Sequence, residues 1–505
     1  MKKYLFSIMT LFAMSAMSLF AQNPFQKVTV AQGEIEGLVK EGYVLFPAIP
    51  YAEAPVGNLR WKAPVPKAPW AGVYKAEEFA KKPWQAGAKP EECSEDCLYL
   101  SVQTPAKSKS DRLPVFVNIH GGGFSTGSYA GTQDSFVKEG IVYVSIEYRL
   151  GSLGFMAHPE LAKESPSGLS GNYGILDQIC ALEWVHNNID KFGGDPQTVT
   201  ICGESAGGIS VSILCASPMC KGFFQRGISE SGSSFWPVAD DRGGNTAMVN
   251  AKAAEKSGLA FQQRLGKKNL KALRKMEPSE IVNNEGGMGS FWPVVDGIAI
   301  IDDQYKLYES GNYNDVDVIV GTNSDEGWLF TRELPVGAYE QEIRATYGEW
   351  ADKLLALYPA TTANEAHHAI ADIFRDGSFA WGTWAWAKLQ SQTGKKNVFL
   401  YYFDHNSPNF MTTERGANHV TEMPYIYGWQ MPRTKMEEYF GYVMSRYWIN
   451  FTKTGDPNGE GLPYWPLYKE GEETVMNIHN GFHLTNVPNQ AQLNFFEEYF
   501  KAKRK

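Results

Sequence analysis

The sequence predicts an α/β fold, with a central, mostly parallel sheet flanked by helices and with helical insertions. Two apolar, strand-like segments, residues 113–119 and 198–202, each run into a glycine-rich turn, and the second turn continues as a helical pattern over residues 209–214. Strand-like and helix-like segments alternate along the chain, which is typical of a parallel sheet whose strands are connected by helices.

The individual elements follow from the spacing of apolar residues. Within residues 176–189, apolar side chains recur three or four positions apart, which predicts a helix with one face on the sheet. The other predicted elements are, in chain order, short strands within residues 33–51, strands at 115–119 and 141–146, a turn at 193–196, charged helices within 245–284, a strand at 316–320, mostly helices within 333–395 and a strand at 397–403.

Composition favours a folded domain without a nucleic-acid partner. The chain has 505 residues, of which 43% are hydrophobic, and a formal net charge of −9. This hydrophobic content excludes intrinsic disorder. Basic residues cluster only at the end, in residues 501–505, and such a short tail is typical of a solvated terminus. Because no repeat or linker interrupts the chain, we expect one large domain over residues 22–505.

The N-terminus has the pattern of a secretory leader. Two lysines follow Met1, an apolar run extends over residues 4–20, and Ala21 provides a small residue at the exit. We expect a signal peptide over residues 1–21, with cleavage near residues 16–18 as the alternative site and a retained membrane anchor as the alternative structure. Outside the leader no segment approaches the ~20 apolar residues of a membrane helix, so the product is expected in a periplasm or outside the cell.

The six cysteines suit an oxidising compartment but do not form a dense disulfide scaffold. Cys93 and Cys97 are close in sequence, as are Cys215 and Cys220, so each of these two pairs could form a local bridge. The other two cysteines lie in apolar patterns typical of buried thiols. No zinc-binding spacing occurs in the sequence, and no metal or organic cofactor is implied.

The most informative motif is Gly203-Glu204-Ser205-Ala206-Gly207, between a strand pattern and a helix pattern. In this context a G-x-S-x-G turn holds a serine hydroxyl exposed at the end of a sheet. Gly203 and Gly207 would remove side chains that clash as the helix folds back onto the strand. Ser205 would then lie at a helix N-terminus, where free N–H groups favour negative charge. The alternative is a chance match in an ordinary glycine-rich turn.

A second motif, residues 120–123 (HGGG), follows the strand pattern at 113–119. Three glycines expose backbone N–H groups to a ligand, and an HGGG run upstream of such a serine turn contributes part of an oxyanion hole. His120 itself is expected to anchor the loop. Together the two motifs predict acyl transfer through Ser205.

A serine nucleophile needs a base and an orienting carboxylate, which follow it in the chain order serine, acid, histidine. The strand at 316–320 leads into a turn where Asp325 and Glu326 are both candidates for the acid. His419 lies in a glycine-containing turn, and His405 is the main alternative base. The histidine pair 367–368 lies in a helical pattern and is expected at the surface.

Many motifs, in matching order, resemble those of the type-B carboxylesterase family, the cholinesterase-like branch of the α/β hydrolases. The resemblance covers nearly all of the mature chain. It implies an α/β-hydrolase fold, an acid at Glu326 and a base at His419. It also implies an oxyanion hole formed by Gly122, Gly123 and Ala206. The motifs that carry the resemblance include residues 94–100 (SEDCLYL), 148–151 (YRLG), 171–174 (GNYG), 192–196 (FGGDP), 203–208 (GESAGG), 293–297 (PVVDG) and 455–458 (GDPN).

The sequence also departs from the family pattern. The family's first disulfide is in doubt, because residues 82–85 lack the upstream cysteine and Cys93 lies only four positions before Cys97. No aromatic can be placed for choline, so a choline-ester specialist is disfavoured. Glu95 and Arg149 match a structural ion pair of the family.

Two aromatic pairs, residues 235–236 and 291–292, resemble positions near the family's acyl pocket. Large aromatics there would favour short or flat aromatic acyl groups. The alternative is that all four side chains belong to the core.

The sequence therefore predicts a secreted serine carboxylesterase that hydrolyses a small-molecule ester through an acyl-enzyme. The alternative from another class is a non-catalytic adhesion module of the cholinesterase-like type. Among enzymes, a lipase and a feruloyl or acetyl esterase acting on cell-wall esters are the alternatives. The natural substrate and the oligomeric state stay open.

Overall fold

An eleven-stranded sheet forms the centre of the computed structural model, which describes residues 24–129, 131–241, 247–406, 415–429, 431 and 433–504. The predicted leader lies outside the described residues. The strands are β1 (Lys27–Val30), β2 (Gly33–Glu36), β3 (Leu38–Lys40), β4 (Tyr43–Pro50), β5 (Val73–Lys75), β6 (Lys82–Pro83), β7 (Cys93–Ser94), β8 (Tyr99–Thr104), β9 (Leu113–Ile119), β10 (Val142–Ile146), β11 (Gly194–Glu204), β12 (Arg226–Glu230), β13 (Val249–Asn250), β14 (Val294–Val295), β15 (Asp317–Asn323), β16 (Val398–Phe403), β17 (Thr474–Ile478) and β18 (Phe482–Asn486).

The helices lie mainly between the strands and after β12. They are α1 (Asp134–Val137), α2 (Gly151–Phe155), α3 (Pro159–Glu164), α4 (Tyr173–Asn188), α5 (Ala206–Ala216), α6 (Ala251–Arg264), α7 (Leu270–Leu273), α8 (Pro278–Val282), α9 (Gln304–Glu309), α10 (Val336–Tyr347), α11 (Ala351–Leu357), α12 (Ala363–Arg375), α13 (Trp381–Thr393), α14 (Met423–Tyr427), α15 (Lys435–Thr454) and α16 (Gln490–Lys503).

The order of the large sheet is β18-β17-β16-β15-β12-β11-β9-β10-β8-β4-β3. Neighbouring strands from β10 to β17 pair in parallel, whereas the pairings at both edges are antiparallel. The carboxyl ends of the parallel strands therefore meet at one edge, where ligands bind in open α/β sheets. The predicted α/β fold with a mostly parallel sheet is confirmed.

Both faces of the sheet are covered, which explains why consecutive residues of its central strands are buried. On β9, Val115 and Val117 face the larger apolar cluster, while Phe116 between them faces a second cluster. Helix α5 contributes to the first cluster and α15 to the second. Successive side chains of a strand point to opposite faces of the sheet, so neighbouring residues of β9 pack against different layers of helices.

The predicted elements differ from the structure mainly at their ends. The predicted helix at 176–189 begins at Tyr173, and the strand predicted at 198–202 begins at Gly194, with a register shift before Val199. Within the region 333–395, a π-helical turn at Asp376–Ala380 separates α12 from α13. π-Helical turns of this kind often occur at functional sites.

The prediction of an ion pair between Glu95 and Arg149 is wrong. Glu95 instead accepts two hydrogen bonds of 2.5 Å from Arg60, from its Nε and Nη2 atoms. Arg149 follows β10 and reaches α4, where Asp177 accepts hydrogen bonds of 2.7 Å from its Nε and 2.6 Å from its Nη2. The order and spacing of the motifs do not show which acidic residue lies next to Arg149 in the folded protein.

All six cysteines are buried and unbridged, so neither of the local bridges considered from the sequence is formed. Burial raises the pKa of the Cys97 thiol well above its usual range. Within the described part of the chain, no helix is both long enough and apolar enough to cross a membrane.

The buried Arg149–Asp177 pair provides a test of the fold. Asp177→Ala is expected to lower the free energy of unfolding by roughly 3–5 kcal/mol, because it leaves a buried guanidinium without its partner. Urea unfolding measures the change. The control is Asp352→Ala, which breaks an exposed pair with Arg344 and is expected to have little effect. Equal stability losses in the two variants would contradict the assignment.

Candidate active site

Ser205 lies in the turn between β11 and α5, at the carboxyl edge of the sheet. Its φ of 57° and ψ of −122° are unusual for a residue with a side chain. The backbone N–H of Ser205 donates to the carbonyl of Glu230 at 2.8 Å, which ties the turn to the end of β12. A Cβ on Gly207 would lie 2.1 Å from the Ile119 carbonyl oxygen, so only glycine fits there.

The glycine loop after β9 passes alongside this serine. A Cβ on Gly121 would lie 3.2 Å from the Cβ of Ser205. Gly122 and Gly123 continue the loop with φ of 102° and 60°, and Ala206 begins α5 directly after the serine. Of the three expected oxyanion residues, Ala206 thus adjoins Ser205, and Gly122 and Gly123 follow the glycine that lies beside it.

The ring of His120 is buried in the protein. Its ring stacks on Tyr148 with 4.4 Å between centroids, and its Nε2 lies 3.4 Å from Oε2 of Glu147. The Tyr148 hydroxyl donates to the His120 carbonyl at 2.7 Å. These contacts hold the first residue of the glycine loop in place, as the sequence predicts.

Of the two candidate acids, Glu326 is the one beside a histidine. It is fully buried in the turn after β15, and its Oε2 lies 2.5 Å from Nδ1 of His419. Its Oε1 accepts from the Asn323 N–H at 2.8 Å and from the Ser231 hydroxyl at 2.5 Å. Asp325 points elsewhere and lies 3.6 Å from Nη1 of Arg415.

Of the candidate bases, His419 lies at this site and His405 does not. His419 is buried between the rings of Phe330 and Phe379, whose centroids are 5.1 and 5.0 Å away. His405 packs on Phe440 instead, with 4.6 Å between ring centroids. The histidine pair at 367–368 is half-buried, and His367 stacks on Trp328.

The second nitrogen of His419 faces another carboxylate. Nε2 lies 3.0 Å from Oε1 of Glu204, the residue immediately before the serine. Among the described residues, Ser205 and His419 form no hydrogen bond with each other. Such bonds are often long in unliganded enzymes and tighten when substrate binds. Burial acts to lower the pKa of His419, but Glu204 and Glu326 outweigh it and raise this pKa well above its usual value.

Four buried glutamates interact with one another here, and two of them, Glu204 and Glu326, touch the ring of His419; the other two are Glu230 and Glu422. Glu230 accepts from the indole N–H of Trp448 at 2.6 Å, and burial raises its pKa to about 7. Burial and then Glu326, Glu204 and Glu230 raise the pKa of Glu422 well above its usual range. Sequence reasoning missed the roles of Glu204, Glu230, Glu422 and Ser231, although each is adjacent to or near a recognised motif.

The two aromatic pairs lie mostly in the core. Phe235 packs on Trp386 and Tyr308, and Phe291 packs on Phe261. Trp292 contacts Phe124, the residue after the glycine loop, with 4.8 Å between ring centroids.

Trp236 lies next to the π-helical turn and donates its indole N–H to the carbonyl of Gly377 at 2.6 Å. The aromatics nearest the histidine, Phe330 and Phe379, were not singled out from the sequence. Phe379 lies within the π-helical turn at Asp376–Ala380, and periodicity alone does not predict such a turn.

The large, mostly parallel sheet with helices on both faces is the α/β-hydrolase fold. The model of the Carboxylesterase family matches residues 24–496, and the chain belongs to this family. It is a carboxylic ester hydrolase. The resemblance to type-B carboxylesterases noted in the sequence is thus confirmed.

Several curated relatives match along most of their length. Fumonisin B1 esterase of Sphingopyxis macrogoltabida is 32% identical over 485 residues, covering 88% of this chain and 84% of the relative. Pyrethroid hydrolase Ces2e of Rattus norvegicus is 34% identical, covering 86% and 82%. Cholinesterase of Mus musculus is 31% identical, covering 90% and 83%.

The raised pKa of Glu230 leads to a testable prediction about how the free energy of unfolding depends on pH. With a pKa near 7 in the folded protein against 4.5 ordinarily, the native state binds more protons between these values, so Glu230 lowers stability as pH rises through this range. Glu230→Gln removes this effect and should stabilise the protein at pH 8 by about 3 kcal/mol relative to wild type.

Urea unfolding at pH 5 and pH 8 would measure this effect. The free energy of unfolding that Glu230→Gln gains over wild type should be small at pH 5 and reach its full value at pH 8. Glu472→Gln, on an exposed carboxylate, serves as the control. A difference from wild type that does not change with pH would contradict the prediction.

Proposed function

We propose that this chain hydrolyses small carboxylic esters through an acyl-enzyme, with Ser205 as nucleophile, His419 as base and Glu326 as the orienting acid. The observation that carries the proposal is the buried contact of 2.5 Å between His419 Nδ1 and Glu326 Oε2, at the same sheet edge as the strained serine. A carboxylate on Nδ1 sets the tautomer in which Nε2 can accept a proton.

In the first half-reaction, Ser205 Oγ attacks the ester carbonyl while its proton passes to Nε2 of His419. The carbonyl oxygen becomes an oxyanion and accepts hydrogen bonds from the N–H groups of Gly122, Gly123 and Ala206. When the tetrahedral intermediate collapses, the C–O bond breaks and the leaving alcohol takes the proton from His419. The acyl group remains on Ser205.

In the second half-reaction, water attacks the acyl carbonyl and gives a proton to His419. The bond to Ser205 breaks, the carboxylic acid leaves, and the serine recovers its proton. Nε2 must therefore exchange its contact with Glu204 for one with Ser205 or the leaving group during turnover.

We also propose that residues 1–21 are a cleaved leader and that residues 22–505 work as one domain in the periplasm or outside the cell. The leader pattern and a family match that begins at residue 24 support this proposal. Relatives named for fumonisin B1 and pyrethroids support a small-molecule ester as substrate. p-Nitrophenyl esters of graded chain length would define the acyl preference.

The proposed nucleophile and base can be tested together. Ser205→Ala and His419→Ala should each lower kcat by about 10⁶-fold, because such residues act as a unit. Ser205→Ala should also abolish labelling by a fluorophosphonate. His405→Ala serves as the control and should keep most of the activity. A non-catalytic adhesion module would show neither ester hydrolysis nor labelling in the wild-type protein.

A second pair of variants tests the acid. Glu326→Gln should lower kcat by roughly 10³- to 10⁴-fold, because the charge that fixes the imidazole tautomer is lost. Asp325→Asn is the matched control: its side chain faces Arg415, so we expect a lower melting temperature and a nearly unchanged kcat. Near wild-type turnover in Glu326→Gln together with a collapse in Asp325→Asn would refute the assignment.

A further inference from the structure

A methionine side chain lies against the glycine loop that the proposed reaction uses. Gly123 has a φ of 60°, and the space that a Cβ would take on it is filled by Met288. A Cβ there would lie 2.6 Å from Cγ of Met288 and 2.7 Å from its Sδ. The thioether sulfur therefore lies next to the backbone of a residue whose N–H group is a proposed donor to the oxyanion.

Contacts on both sides of Met288 hold its segment in this place. Before it, the carboxylate of Glu285 accepts hydrogen bonds from the backbone N–H and the hydroxyl of Ser152, at 2.7 and 2.6 Å. After it, the ring of Trp292 packs on that of Phe124, the residue that follows the glycine loop. Because both ends of the segment are fixed, the methionine is held over the glycine loop.

The same side chain is open to solvent. Met288 is 56% exposed, which is the largest exposed fraction of any methionine among the residues that the structure describes. Met436, in the first turn of α15, is similarly exposed at 51%. All six cysteines are buried, and burial raises the pKa of thiols such as Cys97, so these sulfurs are poor targets for an oxidant. Met288 thus combines access to solvent with a place at the proposed site.

A thioether in such a place can be oxidised to a sulfoxide by a peroxide. The sulfur lone pair attacks one peroxide oxygen, and the S–O bond forms as the O–O bond breaks. The proton of the transferred oxygen passes to the departing hydroxide, which leaves as water, so sulfur loses two electrons and the peroxide gains them. The sulfoxide is polar, whereas the thioether is only a weak acceptor of hydrogen bonds. Beside Gly123 the new oxygen would compete with the substrate's carbonyl oxygen for backbone N–H groups.

We propose that Met288 is a modification site, at which hydrogen peroxide converts the thioether to a sulfoxide and thereby lowers the esterase activity. This inference rests on the proposed function. The sulfoxide acts on the oxyanion, which forms only during the reaction, so kcat should fall more than KM rises. Because methionine sulfoxide is reduced by methionine sulfoxide reductases, the loss of activity should be reversible.

The experiment treats wild type, Met288→Leu and Met436→Leu with hydrogen peroxide, and compares each protein with its own untreated sample. Peptide masses report which methionines gain an oxygen, and p-nitrophenyl acetate reports kcat and KM. Oxidation of Met288 in wild type should lower kcat by roughly ten- to a hundredfold, somewhat less than the loss of a whole oxyanion donor. Met288→Leu should resist the treatment, whereas Met436→Leu, the matched control, should lose activity like wild type. Methionine sulfoxide reductase should restore the oxidised wild type.

A further variant tests the same idea without an oxidant. Met288→Gln places a side-chain carbonyl oxygen, a strong acceptor, at about the position of the sulfoxide. Its kcat should lie roughly tenfold below that of Met288→Leu, with a smaller difference in KM. Equal kcat values in these two variants would overturn the inference.

The peroxide experiment has its own decisive outcomes. The inference is overturned if wild type keeps its kcat after Met288 has gained an oxygen, if Met288→Leu loses activity as wild type does, or if Met436 is oxidised while Met288 is not. It is also overturned if circular dichroism shows that the inactivated wild type has unfolded. Wild-type protein that hydrolyses no ester before treatment would instead refute the proposed function itself.

Discussion

The backbone of Ser205 is the constraint on which the rest of the site depends. Its φ of 57° persists because the surrounding structure leaves it no alternative. The turn is fastened to β12 through the Glu230 carbonyl, and the helix that follows is pressed onto the end of β9 at Gly207. Gly232 also packs closely on the turn, since a Cβ there would lie 2.5 Å from the Ser205 carbonyl oxygen. The strain is thus supported by the ends of β9 and β12 and by the segment that follows β12.

The second constraint is electrostatic. His419 touches two members of a cluster of four buried glutamates, and such a group of carboxyls cannot all be charged at low dielectric. The structure distributes the charge unevenly: Glu326 receives hydrogen bonds from Asn323 and Ser231, whereas Glu422 has its pKa raised well above the usual range. Glu204 and Glu326 are the two carboxylates that touch the ring of His419, and both act to raise its pKa. The cluster therefore favours a cation at the point where the proposed reaction forms one.

Much of the fold and the placement of the candidate site follow from the sequence, because both depend on local patterns. Strand, turn and helix around Ser205 are encoded within residues 198–214, and glycines mark the close approaches. The choice between Asp325 and Glu326 was open from the residues alone, since adjacent turn residues point in different directions and a pattern does not say which faces the base. The partner of Arg149 was mispredicted for a related reason: Asp177 is brought to it by the packing of α4, a tertiary contact.

The contact between Glu204 and His419 is a feature of the site that the sequence pattern does not predict. Glu204 is the variable position of a G-x-S-x-G motif, so the pattern assigns it no role. The strained turn at Ser205 directs successive side chains to different sides, and that of Glu204 is carried under the glycine loop toward Nε2. The same backbone conformation that presents the serine hydroxyl thus places a carboxylate against the base. In this molecule the geometry of the nucleophile and the protonation of its base are consequences of one turn.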